Sequence, residues 1–307
     1  MIITRRQLLR ISGGAGLIAA VRPWRPLLAH TGATIMTTIP SSGEQLPAVG
    51  IGTRDFRSDT NAEEMQRFKD TLATFYAHGG RVIDTSPNYG DAETIIGKLL
   101  AEIGIRDKVF MATKVDREDQ QQGVERMNRS LKLLGRDKLD LMQVHNLRGT
   151  EVELETMKAW KQEGRIRYLG VTTHNPDQYD AMQDVMRRHP LDFIQLNYSL
   201  ADRAAEKSIL PLARDRGIAV LVNLPFARGQ LFSAVANLPL PDWAAEMDAF
   251  SWGQVFLKYL ISYPASILPI PGTTKPHHVS DNLGAAKGRL PDEKLRREIE
   301  NYVIPLL

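Results

Sequence analysis

Cysteine is absent from the 307 residues, so disulfides, a thiolate nucleophile and a lipid-modified cysteine are all excluded. That is compatible with an oxidising compartment without requiring one. Acidic side chains are absent from the first thirty residues, which contain Arg5, Arg6, Arg10, Arg22 and Arg25. The whole chain carries 39 Lys and Arg against 36 Asp and Glu. Setting the opening stretch aside leaves 34 basic residues against the same 36 acidic ones. The computed pI near 9.0 therefore belongs to the N-terminus, and a nucleic-acid-binding reading loses its support. A long hydrophobic run is missing too. The most apolar stretch, Ile11 to Val21, falls short of the roughly 20 residues that cross a bilayer.

What stands at the N-terminus is a basic head, Thr4 to Leu9, followed by that Gly- and Ala-softened apolar run. This is a signal-peptide layout, and the adjacent Arg5 and Arg6 resemble a twin-arginine export signal. A mitochondrial presequence also lacks acids, but it would be an amphipathic helix, and the glycines argue against one. Residues 1–33 are thus expected to be an export signal read by the export machinery, and the protein to be periplasmic. Cleavage within residues 27–33 and retention of the leader as a membrane anchor are both open.

Residues 34–307 suit one (β/α)₈ barrel, for which about 250 residues is typical. Met36 to Pro47 reads as a β-hairpin around Ser41-Ser42-Gly43. Val49 to Thr53 reads as the first barrel strand, its glycines allowing the backbone close to a ligand. Helical patterns follow over 62–78, 93–103, 118–134, 152–162, 176–189, 204–214 and 253–263. Between them lie apolar strands at 81–84, 109–114, 139–145, 166–171, 193–197, 218–222 and 266–270. Such βα alternation implies a parallel sheet with right-handed crossovers. The predicted fold is α/β: a single (β/α)₈ TIM barrel with an N-terminal β-hairpin, and no linker divides it.

Three consecutive strands end on chemistry. The first closes on Asp84 and leads into a tight loop bearing Tyr89; the next ends on Lys114, and the third on His145. Parallel strands deliver their C-terminal ends to one mouth, which makes the four residues neighbours. A free tyrosine, with a pKa of about 10, is a poor acid at neutral pH, but an adjacent ammonium favours its phenolate. Lys114 supplies that charge in this reading, Asp84 holds Lys114 by an ion pair, and His145 orients a carbonyl oxygen or shares its proton.

These residues resemble the aldo-keto reductase family, which uses Asp, Tyr, Lys and His in this chain order. Val82 to Gly90, Phe110 to Val115 and Leu139 to Asn146 look like its three catalytic signatures, and the likeness runs from about Ile39 to the C-terminus. The resemblance implies a nicotinamide cofactor, with NADP favoured over NAD. It would be cradled first by Gly52 and Thr53. Gly170 to Asn175 is similar to the family's Gly-Val-Ser-Asn segment, so Thr172, Thr173 and Gln195 would meet the nicotinamide carboxamide. Ile270 to Asn282 is similar to its adenosine-phosphate segment, which places an anion at a helix N-terminus. Within it Gly272 would line the cofactor site, Thr273, Thr274 and Lys275 would grip a 2′-phosphate, and Asp281 and Asn282 match positions that contact adenine.

Two positions depart from the family pattern. Alignment on Pro225 and the Arg228–Gly229 pair places Asn223 where members often stack a tyrosine on the nicotinamide, with Phe226 as the candidate substitute. His278 stands where many members carry an arginine on the 2′-phosphate. The adjacent His277 and His278 face different directions on a helix and have no third ligand nearby, so no metal is expected. The implied reaction reduces an aldehyde or ketone to an alcohol, or the reverse, with Tyr89 as general acid or base. The short loop after His145 predicts an open cleft, lined by Trp243 and Trp252 unless these anchor their own segment. The competing reading is a nucleotide-loaded sensor or partner-binding barrel with little turnover.

Overall fold

The computed structural model describes residues 33–57 and 61–307, so all but the last residue of the leader expected over 1–33 lies outside the described residues. Strands β1 (Met36–Thr38) and β2 (Gln45–Pro47) pair antiparallel, Thr37 opposite Leu46, and form the expected hairpin. Eight parallel strands follow: β3 (Ile51–Gly52), β4 (Val82–Asp84), β5 (Phe110–Val115), β6 (Leu139–Val144), β7 (Ile166–Thr172), β8 (Phe193–Asn197), β9 (Ala219–Asn223) and β10 (Ile267–Pro269). Each pairs with its sequence neighbour. The ring closes where the Gly50 amide donates to the Pro269 carbonyl (3.0 Å) and the Gly52 amide to the Pro271 carbonyl (3.3 Å).

The helices between the strands are α1 (Ala62–Ala77), α2 (Ala92–Ile103), α3 (Gln120–Leu134), α4 (Thr150–Gln162), α5 (Tyr179–Arg188), α6 (Ile209–Asp215), α7 (Gln230–Ala234) and α8 (Trp252–Ile261). After β10 come α9 (Pro276–Gly284) and α10 (Glu293–Val303). Local signals account for the boundaries. Asn61 and Glu64 form a reciprocal capping box at the start of α1. Gly104 and Gly135 end α2 and α3 in the left-handed conformation that glycine adopts without steric cost. The predicted helices over 176–189 and 204–214 each open with a short 3₁₀ turn, and Ser208, at φ −149°, breaks the second from α6.

The barrel interior follows the two-residue strand period. Val82, Phe110, Leu141, Tyr168, Phe193, Leu221 and Leu268 point inward near the bottom, where Ile39 and Leu46 of the hairpin join the same apolar cluster. The hairpin therefore plugs the bottom of the barrel. On the same inward face, one or two pleats further along, stand Asp84, Lys114, Gln143, Thr172, Gln195 and Asn223. The interior thus turns from apolar to polar along its axis, which sets the site at the C-terminal mouth.

One glycine serves a different purpose from the one predicted. A Cβ on Gly50 would stand 2.8 Å from the Val82 carbonyl oxygen and 3.0 Å from Ile270, so its missing side chain serves ring closure rather than a ligand.

Candidate active site

Asp84 and Lys114 occupy adjacent strands on the inward face, and their side chains meet. The Lys114 Nζ donates to Asp84 Oδ2 (2.6 Å) and to the Thr85 carbonyl (2.8 Å), while Gln143 Nε2 donates to Asp84 Oδ1 (3.2 Å). Both partners are only 2% exposed, so this pair lies out of reach of solvent screening. Burial by itself would push the Lys114 pKa down. The Asp84 carboxylate, then Tyr89, outweigh burial and hold it above the ordinary lysine value, so the side chain is an ammonium.

Tyr89 arrives from the loop after β4, where its amide closes a turn onto the Ser86 carbonyl (3.0 Å). Its ring centroid stands 5.3 Å from Lys114 Nζ and 6.2 Å from the His145 ring, edge-on at 87°. His145 opens the turn after β6. Its Nδ1 lies 3.3 Å from both Ser86 Oγ and Asn88 Nδ2. Burial first, then the Lys114 charge, pushes the His145 pKa down to about 3, so the imidazole is neutral at any ordinary pH. The four residues predicted from three strand ends therefore form one constellation.

All four line a cleft of about 810 Å³ at the barrel mouth. Its walls include Gly52, Thr53, Thr172, Gln195, Asn223, Pro225, Phe226, Gly229 and Gly272, nine of the residues expected around a nicotinamide cofactor. Gln195 is fully buried, and neither Oε1 nor Nε2 meets a protein partner. Buried amides are nearly always hydrogen-bonded, so this one fits a ligand carboxamide that offers a donor and an acceptor. Phe226 packs against Phe232 with ring centroids 4.8 Å apart, and both line the cleft beside the half-buried Asn223. Six non-glycine residues among the described ones have positive φ, and Asn146, Leu224 and Arg228 of these border the cleft, the usual place for such backbone strain.

The other residues expected around the cofactor are not part of this cleft wall. Thr173 is fully buried and its hydroxyl donates to Gln178 Oε1 (2.5 Å), so it does not reach the cleft wall. Thr273, Thr274, Lys275 and His278 lie beyond Gly272 around the N-terminus of α9, where Thr273 Oγ1 caps the Lys275 amide (3.1 Å) and stands 3.3 Å from His278 Nδ1. Burial, then His277 and Lys275, lower the His278 pKa, which makes it a neutral partner rather than a cation. Asp281 accepts from Ser251 Oγ (2.7 Å) and Gln254 Nε2 (2.9 Å), so its carboxylate ties α9 to α8, and Asn282 beside it is buried. Trp243 and Trp252 do not line the cleft. They pack edge-to-face on one another, and both meet the Tyr302 ring, which makes them the anchor of their own segment.

Several residues that support or line the cleft carried no mark in the sequence pattern. Gln143, behind the cleft wall, sits two residues before His145 and braces Asp84, a role its inward strand position could have suggested. Asn88 and the rim arginines Arg54, Arg57 and Arg228 line the cleft from loops, where no periodicity marks them.

A closed eight-stranded barrel with a phenol, a paired ammonium and a neutral imidazole at its mouth defines an acid–base site of the carbonyl-reducing kind. The model of the aldo/keto reductase family matches residues 48–300, and the chain belongs to that family. It is 34% identical over 211 residues to the aldo-keto reductase YhdN of Bacillus subtilis (strain 168), covering 64% of this chain and 63% of that protein's length. Over 282 residues it is 28% identical to the aldo-keto reductase str7 of Strobilurus tenacellus, covering 78% of this chain and 83% of the relative. A solved aldo/keto reductase from Klebsiella pneumoniae, in complex with NADP and acetate, superposes with a TM-score of 0.70 at 27% identity, covering 87% and 95% of the two chains.

Proposed function

We propose that the protein is an NADP(H)-dependent oxidoreductase that reduces aldehydes or ketones to alcohols, or runs the reverse oxidation, and that residues 1–33 export it to the periplasm. The observation that carries the reading is the dry Asp84–Lys114 pair set beside Tyr89 and the neutral His145 on one wall of the cleft. Gln195 and Thr172 would hold the nicotinamide end, and Thr273, Thr274 and Lys275 at the N-terminus of α9 suit a phosphate. NADP is preferred over NAD because a related solved structure holds it and because those donors cluster there.

Bound in this way, the cofactor supplies or accepts the hydride. The protein's own residues handle the proton and the charge. A carbonyl oxygen placed between Tyr89 and His145 receives the phenolic proton as it becomes an alkoxide. Lys114 stands beside the phenol oxygen as that oxygen turns negative, and Asp84 keeps the ammonium in place. His145, being neutral, offers an N–H to the same carbonyl oxygen and orients it.

Export rests on the paired Arg5 and Arg6 ahead of an apolar run and on the acid-free opening stretch. A twin-arginine route carries folded proteins, which would allow the cofactor to leave already bound. The test is consumption of NADPH by the full chain against a panel of aldehydes and quinones, with the alcohol product identified. Turnover with at least one carbonyl class is expected. Tight nucleotide binding without turnover across the panel would instead select the sensor or partner-binding reading.

A further inference from the structure

His145 acts on a carbonyl oxygen only if a hydrogen sits on the ring nitrogen facing the cleft. A neutral imidazole carries one hydrogen on one of two nitrogens, and the partner of the other nitrogen decides which. Here Nδ1 has two neighbours at 3.3 Å, Ser86 Oγ and Asn88 Nδ2. The serine hydroxyl is ambivalent, since it both donates and accepts. The asparagine settles the matter only if its amide cannot turn over.

Two charges prevent that turn. The Arg126 guanidinium donates to Asn88 Oδ1 at 2.6 Å, and the Asp116 carboxylate accepts from Asn88 Nδ2 at 2.7 Å. Swapping the amide's ends would set its NH₂ against the guanidinium and its oxygen against the carboxylate, losing two charge-assisted bonds and adding two repulsions. Arg117 NH1 donates to Asp116 Oδ1 (2.6 Å), and Asp116 is 8% exposed, so that end of the lock is fixed in turn. The second hydrogen of Asn88 Nδ2 is therefore directed at His145 Nδ1, which accepts it. We propose that Asn88, pinned between Arg126 and Asp116, is a positioning residue that holds His145 in the tautomer bearing its hydrogen on Nε2. The catalytic quartet then depends on a rim residue adjacent to Tyr89 in the chain. The consequence for rate rests on the reductase reading, whereas the tautomer itself does not.

The experiment is a long-range ¹H–¹⁵N correlation on the labelled full chain, with His145 assigned by comparison with His145→Gln. A pyridine-type Nδ1 and a pyrrole-type Nε2 are expected in the wild type. Asn88→Asp puts an acceptor against Nδ1. It should convert that nitrogen to the pyrrole type and lower kcat about 10²-fold, the usual effect of losing one oxyanion donor, with KM changed far less. Arg126→Met leaves Asp116 alone to hold the amide and should admit a fraction of the other tautomer, with an intermediate kcat. A pyrrole-type Nδ1 in the wild type overturns the proposal, as does a spectrum that neither variant alters. Should Asn88→Asp fail to fold, the wild type and Arg126→Met still decide. A wild type with pyridine-type Nδ1 that reduces no carbonyl would keep the lock and remove the reductase reading instead.

Discussion

Replacing Asp84 by asparagine removes one charge from an ion pair that water does not reach. At 2.6 Å the attraction between Lys114 Nζ and Asp84 Oδ2 is about 6 kcal/mol for an effective dielectric of about 20. Desolvation of the two ions cancels much of this, so the intact pair contributes little net stability. Removing one partner is different, because the ammonium stays buried with only the Thr85 carbonyl and the new amide to receive it. Such orphaning costs about 3–5 kcal/mol.

The pH dependence gives the sign. In the wild type the Lys114 pKa is raised, so its contribution is complete below the unfolded value and is lost only as pH climbs through the still higher folded value. In Asp84→Asn burial dominates and the folded pKa drops below the unfolded one. The folded variant then releases its proton first, and its stability recovers as pH rises toward about 10.4. Urea midpoints of both proteins at pH 7 and pH 9.5 read this directly. A deficit of about 3–5 kcal/mol at pH 7 that shrinks at pH 9.5 is expected. A deficit under about 1 kcal/mol with no dependence on pH would refute the argument that Asp84 is what keeps the buried lysine charged.

Gln195→Leu should act oppositely on the two states of the protein. Relieving an unmet buried amide leaves the ligand-free melting temperature unchanged or higher, while NADPH binds at least about tenfold more weakly in a fluorescence titration. The His145 ring resists protonation in the fold, so the unfolded chain takes up a proton that the folded chain refuses as pH falls below about 6.5. The wild type should lose more stability than His145→Gln between pH 7 and pH 5 in paired denaturation curves. His278→Arg supplies a permanent cation at the start of α9 and should favour NADPH over NADH by about a further tenfold, read from the ratio of the two dissociation constants.

The barrel was legible because its strands are short apolar runs that stop at glycines and polar residues, and because three of them stop at Asp84, Lys114 and His145. Period-two alternation then places those side chains on one inward face, which needs no knowledge of tertiary contacts. α10 was overlooked although Asp292 caps it at the Leu295 amide (2.8 Å) and Leu295, Ile299 and Val303 repeat every four residues on its buried side. It follows α9 without an intervening strand, outside the βα alternation on which the reading relied. The contacts of Asn88 with Asp116 and Arg126, 28 and 38 residues away, were beyond reach because hydrogen bonds made from a loop leave no period in the sequence. The hydrogen bonds by which Asp281 ties α9 to α8 were equally out of reach, since Ser251 and Gln254 lie 30 and 27 residues before it.

The claim that most depends on this geometry is that the Tyr89 hydroxyl moves the proton at the carbonyl. Single-turnover oxidation of bound NADPH by a reactive aldehyde, followed by stopped-flow fluorescence in wild type and Tyr89→Phe, isolates that step from binding and release. The account predicts a rate about 10²–10⁴-fold lower in the variant, with NADPH affinity unchanged. Equal rates in the two proteins would contradict it.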